Sequence, residues 1–337
     1  MVRSRQIHLA KRPVGLPQAD SFELVEVELP ELGAEQVRVR NLWMSVDPYM
    51  RGRMYDRKSY APPFALGEVM PAGAIGRVEA STSAALPEGC LVSSMCGWRD
   101  AFVADANTLR KLPELGIPPQ AFLGVLGMPG MTAYTGLHQL GEVKADDCVF
   151  VSAASGAVGS LVAQLAKLEG CRVIGSAGSD DKCEWLRSVG VDVAINYKAH
   201  AGAKALTQAL LEAAPEGVDL YFDNVGGDHL QAALEAMNTR GRVVCCGMIA
   251  QYNATEPPPG PTNLAHIVSK KLRLQGFIIT DYMEGYGAFV QAVAPLVAAG
   301  KLQYRETVFE GLERAPEAFL GLFSGANTGK MLVKLSV

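Results

Sequence analysis

The sequence predicts an α/β chain in which a doubly wound parallel sheet is inserted into a mostly antiparallel β-barrel domain. Three observations predict it. A strand-turn-helix segment with glycines at the turn lies mid-chain, Cys148-Val-Phe-Val-Ser-Ala-Ala-Ser-Gly156-Ala-Val-Gly159-Ser-Leu. Strand and helix patterns alternate after it, as in a parallel sheet with right-handed crossovers. Before it, and again near the C-terminal end, short strand patterns are broken by Pro and Gly turns, as in an antiparallel barrel.

Taken in order, the chain opens on a strand-like Met-Val-Arg-Ser-Arg-Gln-Ile-His. Strands are expected at Phe22 to Leu29, Gln36 to Met44, Gly73 to Ala80, Cys90 to Met95 and Phe102 to Asp105, and the series ends near Phe122. A helical connection through Gly127 to Gly136 leads to the apolar strand Val149 to Val151 and a helix from Ala157 to Leu168. Strand and helix then alternate: Cys171 to Gly175, Asp180 to Ser188, Val193 to Ile195 and Lys204 to Ala213. Further strands are expected at Val218 to Asp223, Gly241 to Gly247 and Leu272 to Phe277, with helices near Leu230 to Met237 and Phe289 to Ala299. Leu302 to Val308 and Lys330 to Val337 read as strands that return to the first domain. The expected division is therefore 1–125 for the barrel, 126–300 for the parallel domain and 301–337 for the return. A chain of 337 residues is too long for one compact core.

The glycine turn has the chemistry of a diphosphate cradle. Gly156 lets a diphosphate approach the backbone, Gly159 lets the helix pack close to the strand, and the first free amides, over Ala157 and Val158, face phosphate oxygens. Ala154 stands where the first glycine of Gly-x-Gly-x-x-Gly is expected, so the turn alone leaves a purely architectural reading open. An NAD site carries a carboxylate after the second strand to bind the ribose 2′-hydroxyl. Here Ser176-Ala-Gly178-Ser179 follows that strand and the first carboxylate is Asp180. Small polar residues such as Ser179, with a cation at Lys182 and a hydroxyl at Tyr197, would accept a 2′-phosphate, which a carboxylate would repel. Lys182 also reads as a solvated helix lysine and Tyr197 as a half-buried strand residue. Together they point to NADPH.

Apolar residues make up 49% and charged residues 20%, the balance of a globular enzyme. The net charge of −4 and the lack of a basic patch with interleaved aromatics argue against nucleic acid. No window approaches a membrane span, no signal-peptide core precedes the first strand, and a cytoplasmic location is expected. The seven cysteines have no framework spacing and are expected to be reduced.

Six ordered motifs carry a family resemblance. They are Met44-Ser-Val-Asp-Pro-Tyr49-Met-Arg51-Gly, Gly130-Met-Thr132-Ala-Tyr-Thr-Gly136-Leu, Ala153-Ala-Ser-Gly-Ala-Val-Gly-Ser160, Phe222-Asp-Asn224-Val-Gly-Gly227, Cys246-Gly-Met-Ile-Ala-Gln-Tyr252-Asn253 and Asn327-Thr-Gly-Lys330. The chain resembles the zinc-independent medium-chain dehydrogenases/reductases, in the branch of prostaglandin reductases, alkenal double-bond reductases and curcumin-reductase-like enzymes. The resemblance implies a GroES-like barrel joined to a Rossmann domain, with NADPH in the cleft between them, and often a homodimer. It implies that Gly156 to Gly159 hold the diphosphate and that Lys182 with Tyr197 hold the 2′-phosphate. It also implies cofactor contacts from Asn224, from Cys246, Gly247 and Met248 through Tyr252, from Phe277, Ile278 and Ile279, and from Asn327. Thr132, taken as the start of the connecting helix, resembles a residue near the nicotinamide. Asn224 and Asn327 both neighbour glycines, and turn chemistry is their competing reading.

Zinc relatives of this fold need three protein ligands at a catalytic site. Gly67-Glu68-Val69 lacks the histidine that zinc relatives carry there, no cysteine neighbours Ser45, and Cys90 with Cys96 is only a pair. No metal is expected. Another group must then stabilise charge on a carbonyl oxygen, and phenol hydroxyls suit an enone or enal that takes hydride at its β-carbon. Tyr252 is the expected donor and orienting residue, and Tyr49 a second pocket hydroxyl. Tyr49 could instead anchor a barrel loop, Tyr252 could only cover the cofactor, and Arg51 reads as a structural or rim cation. A quinone reductase, or an NADPH-binding protein with little turnover, are the alternatives.

Overall fold

The computed structural model describes residues 2–335. It forms two compact units, one from the chain up to Gly124 and again from Glu306, the other from Val125 to Arg305.

In the first unit β1 (Arg3–Leu9) pairs antiparallel with β2 (Phe22–Glu28). The chain continues through β3 (Gln36–Ser45), a short helix α1 (Tyr49–Arg53), β4 (Ala74–Ser81), β5 (Leu91–Ser94), β6 (Ala101–Asp105) and β7 (Arg110–Lys111). The period of two is plain in β3, where Val37 and Val39 are buried while Arg38 and Arg40 turn outward to Glu79. Val37 and Val39 share a core with Val78, Val92 and Phe102.

The second unit runs α2 (Met128–Thr135), a π-helical turn (Gly136–Leu140), β8 (Cys148–Val151), α3 (Gly159–Leu168), β9 (Arg172–Ala177), α4 (Asp180–Ser188) and β10 (Val193–Asn196). It continues through α5 (Ala203–Ala213), β11 (Val218–Asp223), α6 (Gly227–Ala236), β12 (Met237–Cys245), α7 (Ala265–Ser269), β13 (Arg273–Gly276) and α8 (Tyr286–Ala298). Its six strands are all parallel, in the order β10-β9-β8-β11-β12-β13. Strand order therefore reverses between β8 and β11, and in such sheets ligands bind beyond the strand ends at that switch point.

The chain returns to the first unit with β14 (Glu306–Glu310), α9 (Ala315–Ser324) and β15 (Lys330–Lys334). β14 pairs parallel with β15, which lies antiparallel to β3 in a sheet ordered β14-β15-β3-β4-β5-β7, with β6 on β3. A Rossmann sheet interrupting a mostly antiparallel β unit is the fold class the sequence predicts.

Several boundaries differ from expectation. The strand expected from Leu302 starts only at Glu306, because Gln164 in α3 clamps Gln303 from both sides, donating to its carbonyl and accepting its amide at 2.8 Å. Helix α3 starts at Gly159, not Ala157, because the Gly156 amide closes a tight turn onto the Ala153 carbonyl at 2.9 Å. Tyr197 lies just past β10, in a 3₁₀ turn set by the Lys198 amide on the Asn196 side chain at 3.2 Å. Thr132 sits in the middle of α2 rather than at its start, since Pro129 favours helix initiation a turn earlier. Ser336 and Val337, included in the last expected strand, lie outside the described residues.

Candidate active site

The diphosphate turn follows β8 at the switch point. Gly159 is required by close approach: a Cβ there would stand 2.4 Å from the Ala153 carbonyl oxygen and 2.8 Å from the Ala154 Cα. The residue in the glycine-like conformation is Ala153, at φ 47°, while the Ala154 side chain is seated over Gly175 of β9. A Cβ on Gly175 would lie 2.8 Å from that of Ala154. The glycine missing from the motif has thus been exchanged for one on the neighbouring strand, and the bare backbone over Gly156 to Gly159 fits a dinucleotide diphosphate.

At the end of β9, Ser179 caps α4 by accepting the Lys182 amide at 3.4 Å, and Asp180 and Asp181 occupy the first turn. The Tyr197 hydroxyl and the Lys198 Cε lie 3.1 and 3.3 Å from the position a Gly178 Cβ would take. The Tyr197 ring is held edge-on by the buried His229, at 5.1 Å between centroids. Half-buried Lys182 has its affinity for a proton lowered, first by burial and then by the Lys198 charge. The structure brings Ser179, Lys182 and Tyr197 to one strand end, as a 2′-phosphate site requires.

The ends of β8 and β11 are tied through a buried network that sequence reasoning missed. Tyr221 donates to Asp223 at 2.7 Å, the Asn224 amide reaches the Ser152 hydroxyl at 2.9 Å, and the Asp223 carboxylate also accepts the amides of Val225 and Gly226. Burial raises the Asp223 carboxyl above its ordinary range, while its hydrogen bonds work against that rise. The Asn224 side chain donates to the Ser152 carbonyl at 2.8 Å, so it stitches the two strand ends together. The Cys246 and Gly247 amides reach the Asp223 carbonyl at 2.8 and 3.0 Å, which hangs the next loop from the same network. Burial, then the Asp223 charge, pushes the Cys246 thiol up to about 12, so it is a neutral packing group.

Tyr252 folds back over that loop. Its hydroxyl accepts the Met248 amide at 3.2 Å and stands 3.1 Å from where a Gly247 Cβ would be. Phe277, expected beside the cofactor, packs its ring tip 3.1 Å from the Cβ position of Gly136 and edge-on to Tyr282. Ile278 is half-buried and Ile279 buried. Buried Thr132 donates its hydroxyl to the Met128 carbonyl of its own helix at 2.8 Å.

Tyr49 and Asn327 belong to the other unit. Asn327 donates to the Gly329 carbonyl at 2.8 Å, turn chemistry within its own loop. Tyr49 packs against an apolar cluster, and burial followed by the Asp47 charge holds its hydroxyl proton well beyond the ordinary phenol range. Arg51 is fully buried and donates to the Gly15 carbonyl at 2.7 Å, with Tyr55 under its guanidinium, so it is structural and not a rim cation. Lys330 is the residue missed here. Only 4% exposed, it donates to the carbonyls of Val46 at 2.9 Å and Met331 at 2.8 Å and pairs with Asp47 at 3.1 Å. Asp47 in turn accepts the Ser45 hydroxyl. The available signal was a lysine directly before the apolar run Met331-Leu-Val333, because an ammonium there must be paired if the strand is buried.

Among the described residues no three His, Cys, Asp or Glu side chains form a group that could hold a metal. No helix among them is long and apolar enough to cross a membrane.

Comparison with known proteins gives a consistent result. Residues 5–112 match the family described as the N-terminal domain of oxidoreductase, and residues 157–296 the one described as zinc-binding dehydrogenase. The NADPH-dependent curcumin reductase of Escherichia coli is 42% identical, covering 99% of this chain and 97% of that protein. The NADP(+)-dependent 2-alkenal reductase of Nicotiana tabacum is 42% identical over 99% of this chain and 98% of its own. The crystal structure of CurA in complex with NADPH from Vibrio vulnificus superposes with a TM-score of 0.93, at 43% identity and 99% coverage of both chains.

Proposed function

We propose, for a chain that belongs to the medium-chain dehydrogenase/reductase family in the branch of prostaglandin, alkenal and curcumin reductases and that uses NADPH, reduction of the carbon–carbon double bond of α,β-unsaturated aldehydes or ketones. When bound, NADPH supplies the hydride, which adds to the β-carbon. The double bond then shifts and leaves negative charge on the carbonyl oxygen as an enolate. Tyr252 donates a hydrogen bond to that oxygen and orients the substrate. The observation that carries this role is the Met248 amide donating into the Tyr252 hydroxyl, which fixes the phenol against its loop and polarises its O–H. The α-carbon takes its proton from Tyr252 or from water. Tyr49 holds its proton too firmly to be an acid and serves as a second, neutral donor.

On the cofactor side the Gly156–Gly159 backbone, with Ala157 and Val158, holds the diphosphate, and Ser179, Lys182 and Tyr197 hold the 2′-phosphate. Asn224, Cys246 to Met248, Phe277 to Ile279, Thr132 and Asn327 complete the proposed contacts. The same reading takes the enzyme as a cytoplasmic homodimer, which light scattering of the purified protein tests for its dimer part. The test of the reaction is NADPH consumption against enals, aryl enones, quinones and saturated alcohol or carbonyl pairs. Turnover of enals and enones well above quinones, with no alcohol formed, supports the proposal. Faster quinone turnover makes the enzyme a quinone reductase, and no turnover with any acceptor leaves a binding protein.

A further inference from the structure

We infer that Lys198 is a second cation of the cofactor's 2′-phosphate site and, with Lys182, sets the preference for NADPH over NADH. The inference rests on the placement of that phosphate at the end of β9, and it adds a residue that neither the glycine motif nor the Lys182–Tyr197 pair indicates. Lys198 follows Tyr197 in the turn beyond β10, and its backbone amide is fixed on the Asn196 side chain at 3.2 Å. Asn196 in turn donates to Asp180 at 2.8 Å, tying this turn to the first turn of α4. The Lys198 side chain therefore starts from a held backbone, and its Cε lies 3.3 Å from the Cβ position of Gly178, a position the Tyr197 hydroxyl approaches to 3.1 Å.

Two lysines from different elements thus converge on one strand end. Lys198 is close enough to Lys182 to oppose its protonation, as like charges do. Holding two ammonium groups together costs free energy in the empty protein, and a phosphate dianion between them reverses the sign of that term. At the end of the second strand of a dinucleotide fold the group positioned to do so is the 2′-phosphate, which NADH lacks.

The test is titration calorimetry of the full-length protein with 2′,5′-ADP and with 5′-AMP. These fragments differ in the 2′-phosphate and report on this end of the site without turnover. Lys198 is exposed, so Lys198→Ala should leave the fold intact. It is expected to weaken 2′,5′-ADP about tenfold, the loss of one charge-assisted contact, and to leave 5′-AMP unchanged. Lys198→Arg should restore most of the affinity. Unchanged 2′,5′-ADP affinity in Lys198→Ala, or an equal loss for both nucleotides, would overturn the assignment. If the unsubstituted protein binds the two fragments equally, the placement of the 2′-phosphate itself fails, which is a separate and recognisable outcome.

Discussion

Lys330 in the β unit and Lys182 in the parallel unit bring the same ammonium group into opposite surroundings. Lys330 is sealed, with its three donors directed to two carbonyls and the Asp47 carboxylate. Lys182 is half-buried and has another lysine close enough to lower its affinity for a proton. In the first case burial lowers the affinity for a proton and Asp47 raises it again; in the second, burial and neighbour act in the same direction. A saturated buried cation is architecture, here the clamp on the Val46–Asp47 segment that leads into α1 and Tyr49. Clustered like charges at a strand end are the mark of a receptor for an anion.

Breaking the closed centre should have the largest effect. Lys330→Met strands the Asp47 carboxylate in a mostly buried place, and about 3–5 kcal/mol of stability should be lost, read as a fall in the urea midpoint. A loss under about 1 kcal/mol would mean that the pair is solvated.

The floor of the open centre contains His229, whose ring is held neutral by burial with a pKa of about 4. The unfolded chain takes up this proton near 6.5 and the folded chain only near 4, so the unfolded state binds more protons between those values. Stability is complete above the upper value, falls as pH drops through the window, and levels off below it. The expected loss is about 3 kcal/mol, and His229→Gln should flatten that part of the pH–stability curve.

Tyr252→Phe removes the proposed oxyanion donor and should slow single-turnover hydride transfer, measured with NADPH saturating, by about a hundredfold. An unchanged rate would confine Tyr252 to covering the loop. The smallest effect should come from Lys182→Ala, about tenfold weaker NADPH binding with NADH binding and the urea midpoint unmoved. Should Lys182→Ala instead destabilise the fold as Lys330→Met does, the contrast between the two centres would be lost.

How much of this was legible in the sequence depends on how local each signal is. Helix α4 begins and ends where expected because Ser179, Asp180 and Asp181 start it and Gly190, at φ 97°, follows its end, all within the local sequence. Strand β11 does too, because the β-forming Val218, Leu220, Tyr221 and Phe222 are bounded by turn residues on both sides. The Leu302 segment misled because the side chain that pins it, Gln164, is 139 residues away. The Lys330–Asp47 clamp joins residues about twice as remote along the chain, and pairing across such separations has no sequence period. The glycine turn after β8 stands out locally despite its missing glycine, yet the compensation at Gly175 lies on another strand and needs the sheet register to be seen. Lys198 was overlooked because a lysine after a strand resembles any solvated turn residue until Gly178 and Lys182 are placed beside it.

The site of reduction is located by running the enzyme with NADPH deuterated at the transferred position and an aryl enone, then finding the label by NMR. Double-bond reduction places deuterium at the β-carbon of a saturated ketone. Deuterium at the carbonyl carbon of an allylic alcohol would contradict it.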